Sequence, residues 1–167
     1  MKKIITILIV SCVLTTGLFA FDGNTSASFA YSYNDKGNYL GLSSDSVGYV
    51  NNSSFGYYVG TEALFNVKNI EDWKINMLAG PSYRYSFGTS NVSLNVSLGL
   101  SASGNKYDFS FGIGSFWGAI WKFNNVFGLN IGTKFGSNFV EVPFNGEGIS
   151  VTPNFYVTPV IGFNFYY

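Results

Sequence analysis

The chain has 167 residues, 11% charged and 19% aromatic, with nine basic and nine acidic side chains and no histidine. A charged fraction below half the roughly 25% of ordinary soluble domains, with no net positive charge, excludes a basic footprint for nucleic acid. The lack of histidine removes the usual activator of a Ser nucleophile, and a lone cysteine supports neither a disulfide framework nor a zinc site, so neither an enzyme nor a cofactor is expected.

The first segment, residues 1–20, reads MKKIITILIVSCVLTTGLFA. Lys2 and Lys3, an apolar run from Ile4 and the small residue Ala20 follow the order of a secretory signal peptide, with cleavage expected after Ala20. The apolar run is short for a membrane helix. Cys12 falls inside this segment, so the remaining domain, 21–167, carries no cysteine. Losing Lys2 and Lys3 leaves seven basic residues against nine acidic ones. After residue 20 no run approaches the ~18 consecutive apolar residues of a spanning helix.

The rest of the chain alternates with a period of two, the mark of strands with unlike faces. Residues 25–33 put Ala27, Phe29, Tyr31 and Tyr33 on one side. Residues 38–54, NYLGLSSDSVGYVNNSS, read either as one long loop or as an extra hairpin of 39–42 and 47–50. Residues 55–66 place Phe55, Tyr57, Val59 and Phe65 opposite Gly60, Glu62 and Asn66. Residues 73–87 place Trp73, Ile75, Met77, Tyr83, Tyr85 and Phe87 opposite Lys74, Asn76 and Arg84. The stretch NVSLNVSLGLSAS, 91–103, sets Val and Leu against Ser, Asn and Gly. Residues 107–121 set Tyr107, Phe109, Phe111, Ile113, Trp117 and Trp121 against Asp108 and glycines. Residues 126–135 carry Phe127, Leu129, Ile131 and Phe135 opposite Lys134. A weaker run, 139–145, has Val140, Val142 and Phe144 on its apolar side and Glu141 on the other. Residues 155–167 end the series. Turn-forming clusters separate the runs, at 34–38, 69–72, 88–91, 103–106, 122–125, 136–138 and 145–148. The pattern predicts eight strands, or ten with the extra hairpin. Pro81 and Pro159 fall inside predicted strands, where a residue without an N–H marks a bulge or strand end.

The polar faces decide the fold class. A water-washed face would be rich in charge, but these are mostly Ser, Asn and Gly, with Glu62, Lys74, Arg84, Asp108, Lys134 and Glu141 among them. That suits the crowded lumen of a small barrel, while the uncharged apolar faces suit lipid, where Arg or Lys at mid-bilayer costs roughly 2–4 kcal/mol. The expectation is an all-β, antiparallel up-and-down transmembrane barrel. Within it, Arg84 is expected to pair with Glu62, Asp108 or both and to plug the lumen. Trp73 with Tyr83 and Tyr85, and Tyr107 with Trp117 and Trp121, bracket apolar spans as interfacial girdles do.

The chain ends in FNFYY, with Phe163, Phe165 and Tyr167 alternating up to the carboxyl end. Together with the leader, this resembles the small bacterial outer-membrane barrels of the OmpA/OmpX/OmpW type. The resemblance implies an even strand count, both termini in the periplasm, longer loops outside, outer-membrane lipid as surroundings, and recognition of the last strand by the barrel-assembly machinery. On that topology 34–54 is the longest surface loop, and 88–91 and 122–125 are short surface connections. The function expected is structural or surface-interacting, with a side-chain-filled lumen. The alternatives are a narrow channel for small or apolar solutes, with room beside Gly112, Gly114 and Gly118, and a secreted soluble barrel that holds a lipophile with its apolar faces turned inward.

Overall fold

The computed structural model describes residues 23–34, 37–50, 53–88, 91–146 and 148–167; the expected leader and Cys12 lie outside the described residues. Eight strands follow one another: β1 (Gly23–Asn34), β2 (Gly37–Tyr49), β3 (Phe55–Asn66), β4 (Trp73–Ser86), β5 (Val92–Asn105), β6 (Asp108–Lys122), β7 (Phe127–Pro143) and β8 (Ser150–Tyr166). Each pairs antiparallel with the next, and β8 returns to β1 to close the barrel. Closure leaves no sheet edge, so every strand has a backbone partner on both sides. Gly23 and Tyr167 exchange backbone hydrogen bonds of 3.3 Å where the chain's two ends meet.

The alternation seen in the sequence is the inside–outside alternation of the wall. Phe29, Leu98, Leu100 and Ile113 face outward, with Leu100 74% exposed. Ser26, Ser32, Asn95, Ser97, Asn130 and Asn164 face the lumen and are buried. The chain therefore does not turn its apolar faces inward, as a soluble lipophile-binding barrel would require.

Three expectations about the strands are corrected. Residues 37–49 form one strand, β2, neither a loop nor a hairpin, so the barrel has eight strands and not ten. The two predicted runs at 126–135 and 139–145 are a single strand, β7. Its register shifts at Phe139, which has no partner of its own between Asn138 and Val140. This bulge moves the outward parity from odd to even residues, so Ile131 and Phe135 and then Val140 and Val142 all face out. The prolines mark neither bulges nor strand ends. Pro81 pairs with Tyr57 of β3 but lies in a gap of the β4–β5 ladder, and Pro159 pairs with Thr133 of β7 but lies in a gap of the β1–β8 ladder. Each missing N–H faces only one neighbouring strand.

Placing β2 also inverts the ends of the connections. The last residues of β2, β4 and β6 lie at the end that holds both termini, and those of β1, β3, β5 and β7 lie at the other. The predicted surface connections at 88–91 and 122–125 therefore belong to the terminal side. No strand connection exceeds six residues. Gly88 (φ 54°) and Gly146 (φ 82°) take left-handed backbone conformations inside such turns, with open space around them.

Candidate functional site: the lumen and the outer belt

The centre of the lumen is built on Lys134, from β7. Its Nζ lies 2.6 Å from Asp45 Oδ1 and 3.2 Å from Glu62 Oε1, and all three side chains are at most 3% exposed. The ammonium also donates to Ser43 Oγ at 2.6 Å. Asp45 accepts from the Tyr58 hydroxyl (2.6 Å) and from Ser43 Oγ (3.0 Å), and Glu62 accepts from Asn76 Nδ2 at 2.7 Å. One cation therefore serves two carboxylates, and neutral donors serve their remaining oxygens. Charges taken this far out of water are stable only with such partners.

Rings fill the space around the cluster. Tyr58 stacks on Phe116 with centroids 5.1 Å apart. A Cβ on Gly118 or Gly132 would run into the Phe116 ring, and one on Gly114 or Gly136 would run into the Tyr156 hydroxyl. Of the glycines expected to leave room for solutes, Gly118 and Gly114 are thus recesses that receive Phe116 and Tyr156, and Gly112 lies against the β7 backbone at Ser137 and Asn138. A cavity bordered by Gly60, Glu62, Asn76, Leu78, Lys134 and Tyr156 has a volume of about 10 Å³, the space of a single water.

The six predicted lumen charges are not one cluster. Glu62 and Lys134 meet at the centre, joined by Asp45, which belongs to the strand that the sequence pattern does not resolve. Lys74, Asp108 and Glu141 line a polar cavity of about 40 Å³ at the mouth opposite the termini. There Lys74 Nζ donates to Ser32 Oγ at 3.2 Å and lies 4.3 Å from the centre of the Tyr39 ring, and Asp108 accepts from Asn105 Nδ2 at 2.9 Å. Arg84 sits near the terminal end, its guanidinium 3.9 Å over the Tyr49 ring, whose hydroxyl donates to Asn95 Oδ1 at 3.0 Å. The expected pairing of Arg84 with Glu62 or Asp108 does not form. Glu62 is level with Asn76, and Arg84 is eight residues further along β4, about 27 Å at strand rise.

Outside, the wall is apolar and its rings gather toward the ends. Trp73 and Tyr107 lie at the mouth opposite the termini, and Tyr83, Tyr85, Trp117 and Trp121 lie toward the terminal end. All six side chains point outward. Phe55 packs on Tyr83 at 4.9 Å, and Trp121, Phe123 and Phe127 form a run of ring contacts that continues to Phe163 and Phe165. Phe163, Phe165 and Tyr167 are each about half exposed. One polar pair on this wall is satisfied locally: the Trp117 indole donates to Ser115 Oγ (2.8 Å), which donates to the Ser97 carbonyl (2.7 Å). Among the described residues, no group of His, Cys, Asp and Glu is placed to hold a metal ion.

No family model matches the chain, and no curated protein does. Solved structures do match. Neisserial surface protein A (NspA) superposes with a TM-score of 0.61 at 15% identity, over 88% of this chain and 97% of that one. Ail, the attachment invasion locus protein of Yersinia pestis, gives 0.54 at 12% identity, over 87% of this chain and 97% of Ail. The outer membrane protein AlkL, solved in DMPC lipid bilayers, gives 0.52 at 14% identity, over 88% of this chain and 90% of AlkL. The chain has the fold of the small eight-stranded outer-membrane barrels.

Proposed function

We propose that the chain is a non-enzymatic barrel of the bacterial outer membrane, exported by residues 1–20 and sealed across its lumen. The observation that carries this reading is the pairing of an exposed apolar wall with a lumen closed by the Lys134–Asp45–Glu62 cluster and the Tyr58 and Phe116 rings. An exposed apolar belt around a closed barrel is stable in lipid and a liability in water. The two ring-rich zones, with Trp73 and Tyr107 at one end and Tyr83, Tyr85, Trp117 and Trp121 at the other, serve as the interfacial girdles. Phe163, Phe165 and Tyr167 serve as the recognition strand for the barrel-assembly machinery. Likeness in fold to Neisserial surface protein A and to the outer membrane protein AlkL supports this setting.

The role that fits is structural: a short, stiff barrel that occupies and anchors in the membrane. A surface-interaction role narrows, because connections of two to six residues present little to a partner. A substrate has no route to Lys134 through the packed rings, and the chain has no histidine to act as a base. Planar-bilayer recording tests the seal. The folded protein should insert without steady single-channel conductance. Reproducible steps from the wild type, lost when Phe116 is replaced by Trp, would establish a channel and refute the sealed-lumen reading.

A further inference from the structure

A groove of about 850 Å³ is cut into the outer wall across β7, β8, β1, β2 and the end of β3. One side is the outward row Ile131, Ile161, Phe29 and Leu42, each paired in register with the next. The other side is the next outward row, in which Tyr31 pairs with Leu40 and Leu40 with Phe65. Between the rows the residues turn inward, and the floor is backbone at Gly132, Val160, Ala30 and Gly41.

The geometry sets what fits. Successive outward residues on a strand stand ~6.8 Å apart, a width that takes a hydrocarbon chain and refuses a helix about 10–12 Å across. The groove starts beside Phe65, one residue from the end of β3, and finishes at Ile131, four residues into β7 from the terminal side. It therefore descends obliquely from the mouth into the wall. Four strand spacings make it ~19 Å long, comparable to one leaflet, half of the ~30 Å hydrocarbon core. Its upper end is extended by Val67 and Ile70 of the 67–72 connection, which are 57% and 73% exposed and line the groove. Its floor also passes Pro159, where the β1–β8 ladder skips two pairs. A second barrel would need a broad matching face, and a slot this narrow offers none.

We propose that this groove holds one hydrocarbon chain of a membrane lipid, with the headgroup at the 67–72 connection. The proposal rests on the lipid-facing reading of the wall. It is tested by folding the protein in a nonionic detergent containing a small fraction of phosphatidylethanolamine and weighing intact barrels by native mass spectrometry. Wild type should retain one lipid. Ile161→Trp and, independently, Ile131→Trp fill the slot and should lower retention on the order of tenfold, about the loss of one well-buried apolar contact. Ile113→Trp, at a site of similar exposure on β6 away from the groove, should match the wild type. Each variant is first checked for a mobility difference between boiled and unboiled samples in SDS. Equal retention by all four proteins, or no retained lipid on a barrel that shows the mobility difference, would overturn the groove proposal alone. A dimer dispersed by Ile161→Trp would overturn it in favour of a second copy. Failure of the wild type to show the mobility difference in detergent would instead remove the membrane reading beneath it.

Discussion

Replacing Lys134 by Met is the sharpest perturbation of the lumen. The substitution keeps the length of the stem and removes the charge that lies 2.6 Å from Asp45 and 3.2 Å from Glu62. Asp45 would keep the Tyr58 and Ser43 hydroxyls, and Glu62 would keep Asn76 on one oxygen and nothing on the other. Two carboxylates would then face each other in a confined interior with no cation between them. Breaking a buried pair in this way costs about 3–5 kcal/mol, a large part of the ~5–15 kcal/mol that stabilises a small domain. The assay is equilibrium urea unfolding in detergent, followed by the fluorescence of the three tryptophans. The triple change Lys134→Met, Asp45→Asn, Glu62→Gln should recover most of the loss, because it leaves no charge unpaired. Arg84→Ala should cost under ~1 kcal/mol, the scale of a partly solvated cation–π contact. A Lys134→Met protein within about 0.5 kcal/mol of the wild type would refute the argument, since no such buried cluster could then be holding the lumen.

Other consequences are as direct. Leu100→Arg, at mid-wall, should cost roughly 2–4 kcal/mol in lipid, while Leu94→Arg, nearer the terminal end, should cost ~0–1 kcal/mol; equal costs in unfolding from vesicles would argue against a lipid-facing wall. Gly118→Ala drives a Cβ into the Phe116 ring and should destabilise by about 1–3 kcal/mol, and by clearly less in a Phe116→Leu background, a coupling that a double-mutant cycle reads out. Phe163→Ala with Phe165→Ala should leave more protein unfolded in cell envelopes than the wild type, as judged by the share that runs as folded barrel on unboiled gels. An unchanged share would deny those rings an assembly role.

Much of the barrel was legible because the lumen and the lipid impose opposite chemistries on alternate residues, and runs such as NVSLNVSLGLSAS carry that contrast openly. β2 was not legible because its contrast reverses along its length. Its outward residues begin as Leu40 and Leu42 and continue as Ser44 and Ser46, while its inward ones include Tyr39, Val47 and Tyr49. No single face stays apolar, so the period-two signal cancels. Asp45 was missed with the strand that carries it. β7 looked like two strands because the bulge at Phe139 flips the parity beside Gly136, Ser137 and Asn138, residues that elsewhere make turns. The lumen charges were identified as inward-facing from parity alone. Their grouping was not, because parity fixes the face and only register fixes the depth. The antiparallel order from β4 to β6 sends Arg84 and Asp108 to opposite ends, and placing β2 makes Arg84's end the terminal one.

The central claim is a closed barrel whose apolar wall meets lipid. The most direct test is to fold residues 21–167 into detergent and compare boiled with unboiled samples by SDS electrophoresis, with circular dichroism taken before boiling. A β-rich spectrum and a mobility shift on boiling are the expected result. A chain that folds in buffer without detergent, and migrates the same before and after boiling, would contradict the claim.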